Sequence, residues 1–283
     1  MDVSKVSLRG TFSLSACVLL VGLALAGGAM AAPTTSFQIV GSGGVPAGES
    51  RWVTAECPDG TRVTGGGYGI GSNLLLRLVS SSMIGNAWQV KASNPSASNQ
   101  QLIAYAVCVS GLSGTPPHVE KQISIPPGTS QSNTVTCPSG TAVTGGGFSQ
   151  YNVEVLLTLQ TQNGWITSAK SGNSSGLLNT YAYCYGPASL STFSVLAQVA
   201  VAANGEGQAA KECPQGSLVT GGGFAVNPPG NGRVHTMDKI GNGWRAVLKN
   251  YPTGRSGGLI VYATCMIPPG AVRPPITPGQ LQQ

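Results

Sequence analysis

The sequence predicts an all-β protein of three tandem, disulfide-stapled repeats whose starting cysteines lie 80 and 76 residues apart. Three observations lead there. One series of motifs recurs three times in fixed order. Strand and turn residues dominate, and no helical period is sustained anywhere along the chain. Cysteines open and close each copy at equivalent places.

The first thirty residues stand apart. Lys5 and Arg9 form a basic head, an apolar run follows from Ala16 to Ala26, and Ala29-Met30-Ala31 supplies a small-residue cleavage pattern. Residues 1–31 therefore read as a signal peptide, with the mature chain beginning at Ala32 or Pro33. The apolar run is broken by Gly22 and by Gly27-Gly28, and is short for a membrane span. Leu14-Ser15-Ala16-Cys17 has the look of a lipidation box, but it precedes the apolar run that such a box should close. The expected location is secreted and extracellular, or periplasmic in a Gram-negative host, with no transmembrane segment after cleavage.

Repeat 1 covers residues 32–113, repeat 2 residues 114–188 and repeat 3 residues 189–267. Each begins with a lead-in strand: Phe37 to Val40, Lys121 to Ile125 and Val195 to Ala202. Next comes Cys-Pro-x-Gly, at Cys57, Cys137 and Cys213, with Pro and Gly where a type I turn favours them. Val-Thr-Gly-Gly-Gly-aromatic follows, ending at Tyr68, Phe148 and Phe224. Asn-x-Trp comes later, at Asn86/Trp88, Asn163/Trp165 and Asn242/Trp244. In the last two copies the Asn precedes Gly, a strong hairpin signal. Tyr-Ala-x-Cys closes each copy at Cys108, Cys184 and Cys265, giving a unit of five short strands.

Removal of Cys17 with the leader leaves an even number of cysteines, which in an exported chain means disulfides. Threefold repetition allows two natural pairings. Within copies they are Cys57–Cys108, Cys137–Cys184 and Cys213–Cys265; between copies, Cys108–Cys137 and Cys184–Cys213, with Cys57–Cys265 closing a ring. The first is preferred, because a unit this small needs a staple of its own. Short Pro/Gly/Ser-rich links at Gly111 to Pro117 and Gly186 to Thr192 fit either separate beads or one pseudo-threefold body. Residues 268–283 are proline-rich and read as an extended, disordered tail.

Composition excludes several functions. Only 8% of residues are charged and the formal net charge is +6, with no run of Lys or Arg, so nucleic acid is not an expected partner. No Asp-rich loop or His/Cys cluster suggests a metal, and no cofactor motif appears. The triple glycine lacks the Lys-Ser/Thr and helix of a phosphate loop; it reads as a place where strands cross closely or φ turns positive. Gly172-Asn173-Ser174-Ser175-Gly176 matches the nucleophile-elbow pattern but sits in a polar loop between strands. His118 lies in a linker, and His235 approaches Asp238 without a serine or cysteine to complete a catalytic set. No catalytic residue is assigned. Every position shared by the copies is explained by folding.

Trp88, Trp165 and Trp244 remain as the candidate binding residues, since a ring beside a hairpin tip can stack on the apolar face of a sugar. Packing into the core is the competing reading, and Trp52 lies outside the repeat pattern. The motif series, over roughly residues 50 to 267, resembles repeats of secreted bacterial proteins, many from actinobacteria and other soil bacteria. That resemblance implies an exported or cell-surface β module and carries no shared activity. The expectation is a non-enzymatic module that binds glycan or a cell-envelope polymer through repeated sites. A structural or assembly role and a secreted hydrolase or hydrolase inhibitor are the alternatives.

Overall fold

Every copy folds into six strands, one more than the sequence pattern showed. Repeat 1 forms β1 (Ser36–Val45), β2 (Ser50–Glu56), β3 (Thr61–Gly69), β4 (Arg77–Ile84), β5 (Ala87–Ser93) and β6 (Gln100–Ser110). Repeat 2 forms β7 (His118–Ile125), β8 (Ser130–Thr136), β9 (Ala142–Tyr151), β10 (Val153–Thr161), β11 (Gly164–Ser171) and β12 (Gly176–Tyr185). Repeat 3 forms β13 (Ser191–Val201), β14 (Glu206–Glu212), β15 (Leu218–Asn227), β16 (Gly232–Ile240), β17 (Gly243–Asn250) and β18 (Gly257–Ile267). The computed structural model describes residues 35–271 apart from 113, 115, 117, 187–189, 253–254 and 269–270. The assigned leader, and the assigned tail save Pro268 and Ala271, lie outside the described residues.

The strand missed in sequence is the polar one before each Cys-Pro turn: β2, β8 or β14. Each is an edge strand with few inward positions, such as Val53 and Ala55 in β2, so its alternation barely shows.

The repeats are not beads. Each splits into two three-stranded halves that join different sheets. One sheet runs β1-β6-β3-β16-β17-β14, the next β2-β5-β4-β9-β12-β7, the last β13-β18-β15-β10-β11-β8. The hairpin half of repeat 1 thus extends repeat 2, that of repeat 2 extends repeat 3, and that of repeat 3 returns to repeat 1. The exchange closes cyclically. Each seam is short: Ser80↔Ser149 and Ser81↔Phe148 in one sheet, Leu157↔Ala225 and Thr158↔Phe224 in another, Thr236↔Gly69 and Met237↔Tyr68 in the third.

On the pseudo-threefold axis the three glycine strands meet, and each glycine of a triplet has a different neighbour. A Cβ on the first would stand 2.6 Å from Thr220 O at Gly65 and 2.4 Å from Thr64 O at Gly145. A Cβ on the second would strike an indole, 2.4 Å from Trp88 at Gly66, 2.2 Å from Trp165 at Gly146 and 2.3 Å from Trp244 at Gly222. On the third it would meet a carbonyl of the adjoining repeat, 1.7 Å from Met237 O at Gly67 and 1.8 Å from Thr158 O at Gly223. None of these nine glycines has positive φ, so close approach alone demands eight of them; at Gly221 a Cβ would come no nearer than 3.5 Å to any neighbour. The threonine before each triplet completes the axis. Thr64 Oγ1 donates to Thr220 O at 2.8 Å, Thr220 Oγ1 to Thr144 O at 2.6 Å, and Thr144 Oγ1 to Thr64 O at 3.2 Å. One hydrogen bond passes from each repeat to another around a closed ring.

The disulfides are the within-copy pairs, Cys57–Cys108, Cys137–Cys184 and Cys213–Cys265, each with Cα atoms 5.6 Å apart. Each joins the end of a hairpin-side strand to a closing strand in another sheet, clamping the two halves of one repeat together. Each closes a loop of 47–52 residues, which amounts to about 4 kcal/mol on a chain-entropy model. Three disulfides fit an oxidising, non-cytoplasmic setting.

Candidate ligand-binding site

The three candidate tryptophans are core residues. Trp88, Trp165 and Trp244 are each 0% exposed. The stacking role expected of them is corrected by what covers their rings: the middle glycine of the same repeat lies against each indole, too close for a methyl group. Two of the indoles are also tied by hydrogen bonds, Trp88 Nε1 donating to Ser81 Oγ at 3.0 Å and Trp165 Nε1 to Thr158 Oγ1 at 2.7 Å. Met237 takes that place in repeat 3, and Trp244 Nε1 is buried without a partner.

The asparagine of Asn-x-Trp is equally structural. Its Oδ1 accepts from the backbone N–H of Val63, Val143 or Val219 at 3.0–3.1 Å, while its Nδ2 donates to Thr61 O, Thr141 O or Ser217 O at 2.9–3.1 Å. The side chain therefore bolts the hairpin to the Cys-Pro turn. Asn also sits one place later in the hairpin than the Asn-Gly reading expects. The two loop residues are Gly85-Asn86, Gln162-Asn163 and Gly241-Asn242, and Gly164 and Gly243 begin the return strands. A Cβ at Gly164 would come within 2.1 Å of Val135 O.

A concave site does form, at the end of the axis where the chain passes from each glycine strand into the hairpin. Its floor is the aromatic after each triplet: Tyr68, Phe148 and Phe224, all at most 2% exposed, with Tyr68 and Phe148 edge to face at 6.5 Å. Above them stand Leu78, Val155 and Val234, one from each hairpin. Each is followed by an extra residue, Val79, Leu156 or His235, that bulges the strand and turns its start toward the mouth. One step outward come Arg77, Glu154 and Arg233 at equivalent positions. The open cavity has a volume of about 820 Å³, and Lys91, Gln150, Asn152, Lys170 and Ser174 complete much of its wall.

Positive charge dominates this mouth. Arg77, Lys91, Lys170 and Arg233 face the cavity against one lining carboxylate, Glu154. That carboxylate is already engaged: Arg233 Nε lies 3.7 Å from Glu154 Oε1, and the Tyr251 hydroxyl donates to the same oxygen. Arg233 also lies over the Tyr251 ring at 6.0 Å and donates to Leu76 O at 3.4 Å. Burial, then the charge of Glu154, push the Tyr251 phenol well above its usual range. Burial does the same to Tyr68, whose hydroxyl donates to Val234 O at 3.2 Å. Both phenols are neutral hydrogen-bond donors, not bases.

The remaining reactive groups are not assembled with it. His118 begins β7 and is exposed. His235 fills the bulge of β16 with its Nδ1 3.0 Å from Thr236 Oγ1, and Asp238 pairs with Arg245 instead, through contacts of 2.8 and 2.7 Å. Ser174 lines the cavity from a loop between two strands, where no elbow geometry exists. No group of three His, Cys, Asp or Glu able to hold a metal occurs among the described residues. No helix among them is long and apolar enough to cross a membrane.

No protein-family model matches the chain, and no curated protein is detectably similar to it in sequence. The reading of the site therefore rests on its geometry. Sequence reasoning passed over Arg77, Lys91, Lys170 and Arg233 because it sought residues shared by the copies. The available signal was the opposite one: Arg77, Glu154 and Arg233 occupy one aligned position and differ in charge.

Proposed function

We propose that the protein is a secreted, non-enzymatic binding module that takes a glycan or cell-envelope polysaccharide into the axial cavity. One observation carries this reading. The residues common to the copies are consumed by the axis, the hairpins and the staples, whereas the copies jointly enclose one concave site with divergent walls. Its volume of about 820 Å³ is in the range of small-ligand sites, roughly 300–1,000 Å³. The Asn152 amide and the Ser174 hydroxyl beside an apolar floor suit a sugar, which offers hydroxyls at its rim and C–H bonds on its face. The three copies act here as three walls of a single site. The multivalent arrangement expected from three exposed tryptophans falls away with their burial.

Isothermal titration of the full chain against a panel of soluble glycans and cell-wall polysaccharides tests the reading. Ser174→Trp and Ser93→Trp, both on the cavity wall, narrow it without touching the axis. At least one saccharide should bind, and both variants should weaken it tenfold or more while melting as the parent does. Absence of binding across the panel, or binding that ignores both variants, overturns it.

A further inference from the structure

Resting on that reading, we infer that the ligand is an acidic saccharide, gripped by Arg77 and Lys170 at the mouth and stacked on Trp52 at an outer subsite. The tryptophan set aside in sequence is the one the structure exposes: Trp52 is 50% exposed, whereas the three repeat tryptophans are 0% exposed. It lies on the outer face of edge strand β2, opposite Lys91 in the β2–β5 ladder, with the Lys91 ammonium 5.3 Å from the ring centroid. Lys91 lines the cavity, as does Ser50, two residues before Trp52 on the same strand. Two residues of strand span about 6.8 Å, little more than the width of a sugar ring. The cavity wall thus runs outward through Lys91 onto an indole half in solvent.

Charge specifies the class. Among the described residues, Arg77, Lys91 and Lys170 have no carboxylate within 4.0 Å, while Glu154 is neutralised by Arg233. A protein carrying few charges has gathered several of one sign in a single concavity. Glu154, opposite Lys170 in the β10–β11 ladder, is the one lining carboxylate that offsets them, and the low-dielectric wall focuses the remaining positive field on a ligand. The Arg77 guanidinium offers the planar fork that a carboxylate or phosphate group meets with two hydrogen bonds. A neutral polysaccharide would use the indole and the amides and leave these cations unanswered. An acidic one uses all three features together.

The test is titration of the full chain with an oligogalacturonate (carboxylate), a phosphorylated mannose oligosaccharide (phosphate) and a neutral cello-oligosaccharide, at low and high salt. One acidic oligomer should bind at least tenfold more tightly than the neutral one, and that margin should shrink with salt; which acid prevails identifies the anionic group. Arg77→Gln and Lys170→Gln should each weaken acid binding about tenfold, as loss of one charge-assisted hydrogen bond predicts, with unchanged melting. Trp52→Ala should weaken it without altering the salt dependence. Bound oligomer should protect Trp52 from acrylamide, a quenching change absent in Trp52→Ala. Equal, salt-independent binding of the neutral oligomer that still responds to Ser174→Trp overturns the acidic ligand and leaves the cavity reading standing. Acid binding indifferent to Arg77, Lys170 and Trp52 overturns the placement. No binding to any oligomer removes both.

Discussion

Substituting Gly146 by Ala places a Cβ 2.2 Å from two atoms of the Trp165 indole, with a third at 2.6 Å. The nearest obstacles are all that one ring, so the cost is set by what the ring can do. Trp165 is fully buried and anchored through Nε1 to Thr158 Oγ1 at 2.7 Å. Overpacking a core costs about 1–3 kcal/mol. Moving the indole off its acceptor adds about 1–3 kcal/mol for a buried donor left alone. The expected loss is about 4 kcal/mol, or roughly 10 °C in Tm for a chain of this size. Gly172→Ala is the control: its Cβ would meet nothing within 4 Å and its φ is not positive, so it should be neutral or stabilise by up to about 1 kcal/mol. Urea unfolding followed by far-ultraviolet circular dichroism, with the disulfides intact, gives both numbers. Repeating Gly146→Ala in a Trp165→Leu background isolates the contact, and there its cost should fall below about 1 kcal/mol. If Gly146→Ala is tolerated as well as Gly172→Ala, or if its cost persists without the indole, the steric account of the triple glycine is refuted.

Thr158→Val keeps shape and removes the acceptor of Trp165 Nε1, so it should cost about 1–3 kcal/mol in the same urea assay; no loss would mean the bond is immaterial. Replacing Cys137 and Cys184 together by Ala releases a loop with a sequence separation of 47 and should lower stability by about 4 kcal/mol, read as a lower urea midpoint. Burial depresses the pKa of His235 below its ordinary 6.5 despite the nearby Glu206, whose Oε2 lies 3.5 Å from Nε2. A depressed folded-state pKa contributes stability that is present above the unfolded value and lost as pH falls through the folded one. The thermal midpoint should therefore decline below about pH 6.5, and His235→Gln should flatten that part of the decline; an unchanged slope rejects the assignment.

Much of the frame was legible because its constraints are local and repeated three times. Cys-Pro-x-Gly, the triple glycine and Tyr-Ala-x-Cys each stood out, and so did the within-copy disulfides. Strand exchange was not legible, since pairing of Ser81 with Phe148 or Thr158 with Phe224 joins residues 66–67 positions apart across repeats, and alternation records only which face is buried. The polar β8 and β14 were missed for a related reason: an edge strand with one or two inward residues carries almost no period. Burial of Trp88, Trp165 and Trp244 was half visible. The glycine each ring covers lies 19–22 residues upstream, in a motif recognised separately, and nothing in either motif says that they touch. Trp52, outside the repeat pattern, is the tryptophan that is exposed. Repetition was taken as a sign of function, and here repetition marks the scaffold.

That inversion follows from the cyclic exchange itself. A residue shared by all copies is multiplied about the axis, so a glycine that lets one strand approach lets all of them approach, as the ring through Thr64, Thr144 and Thr220 shows. Symmetric positions are therefore suited to closing the body. A binding site on the axis has the opposite need, because a saccharide lacks threefold symmetry and three identical walls would offer it the same group three times. The mouth departs from the repeat where the bulges turn its walls inward, as the proposed saccharide site would require: Arg77 and Arg233 against Glu154 at one aligned position, and Leu78, Val155 and Val234 at the next. With Arg233 tied to Glu154 and Tyr251, the wall between repeats 2 and 3 is closed by its own contacts. Arg77 and Lys170, with no carboxylate within 4.0 Å, line the opening on the side of repeats 1 and 2, where Lys91 leads out to Trp52.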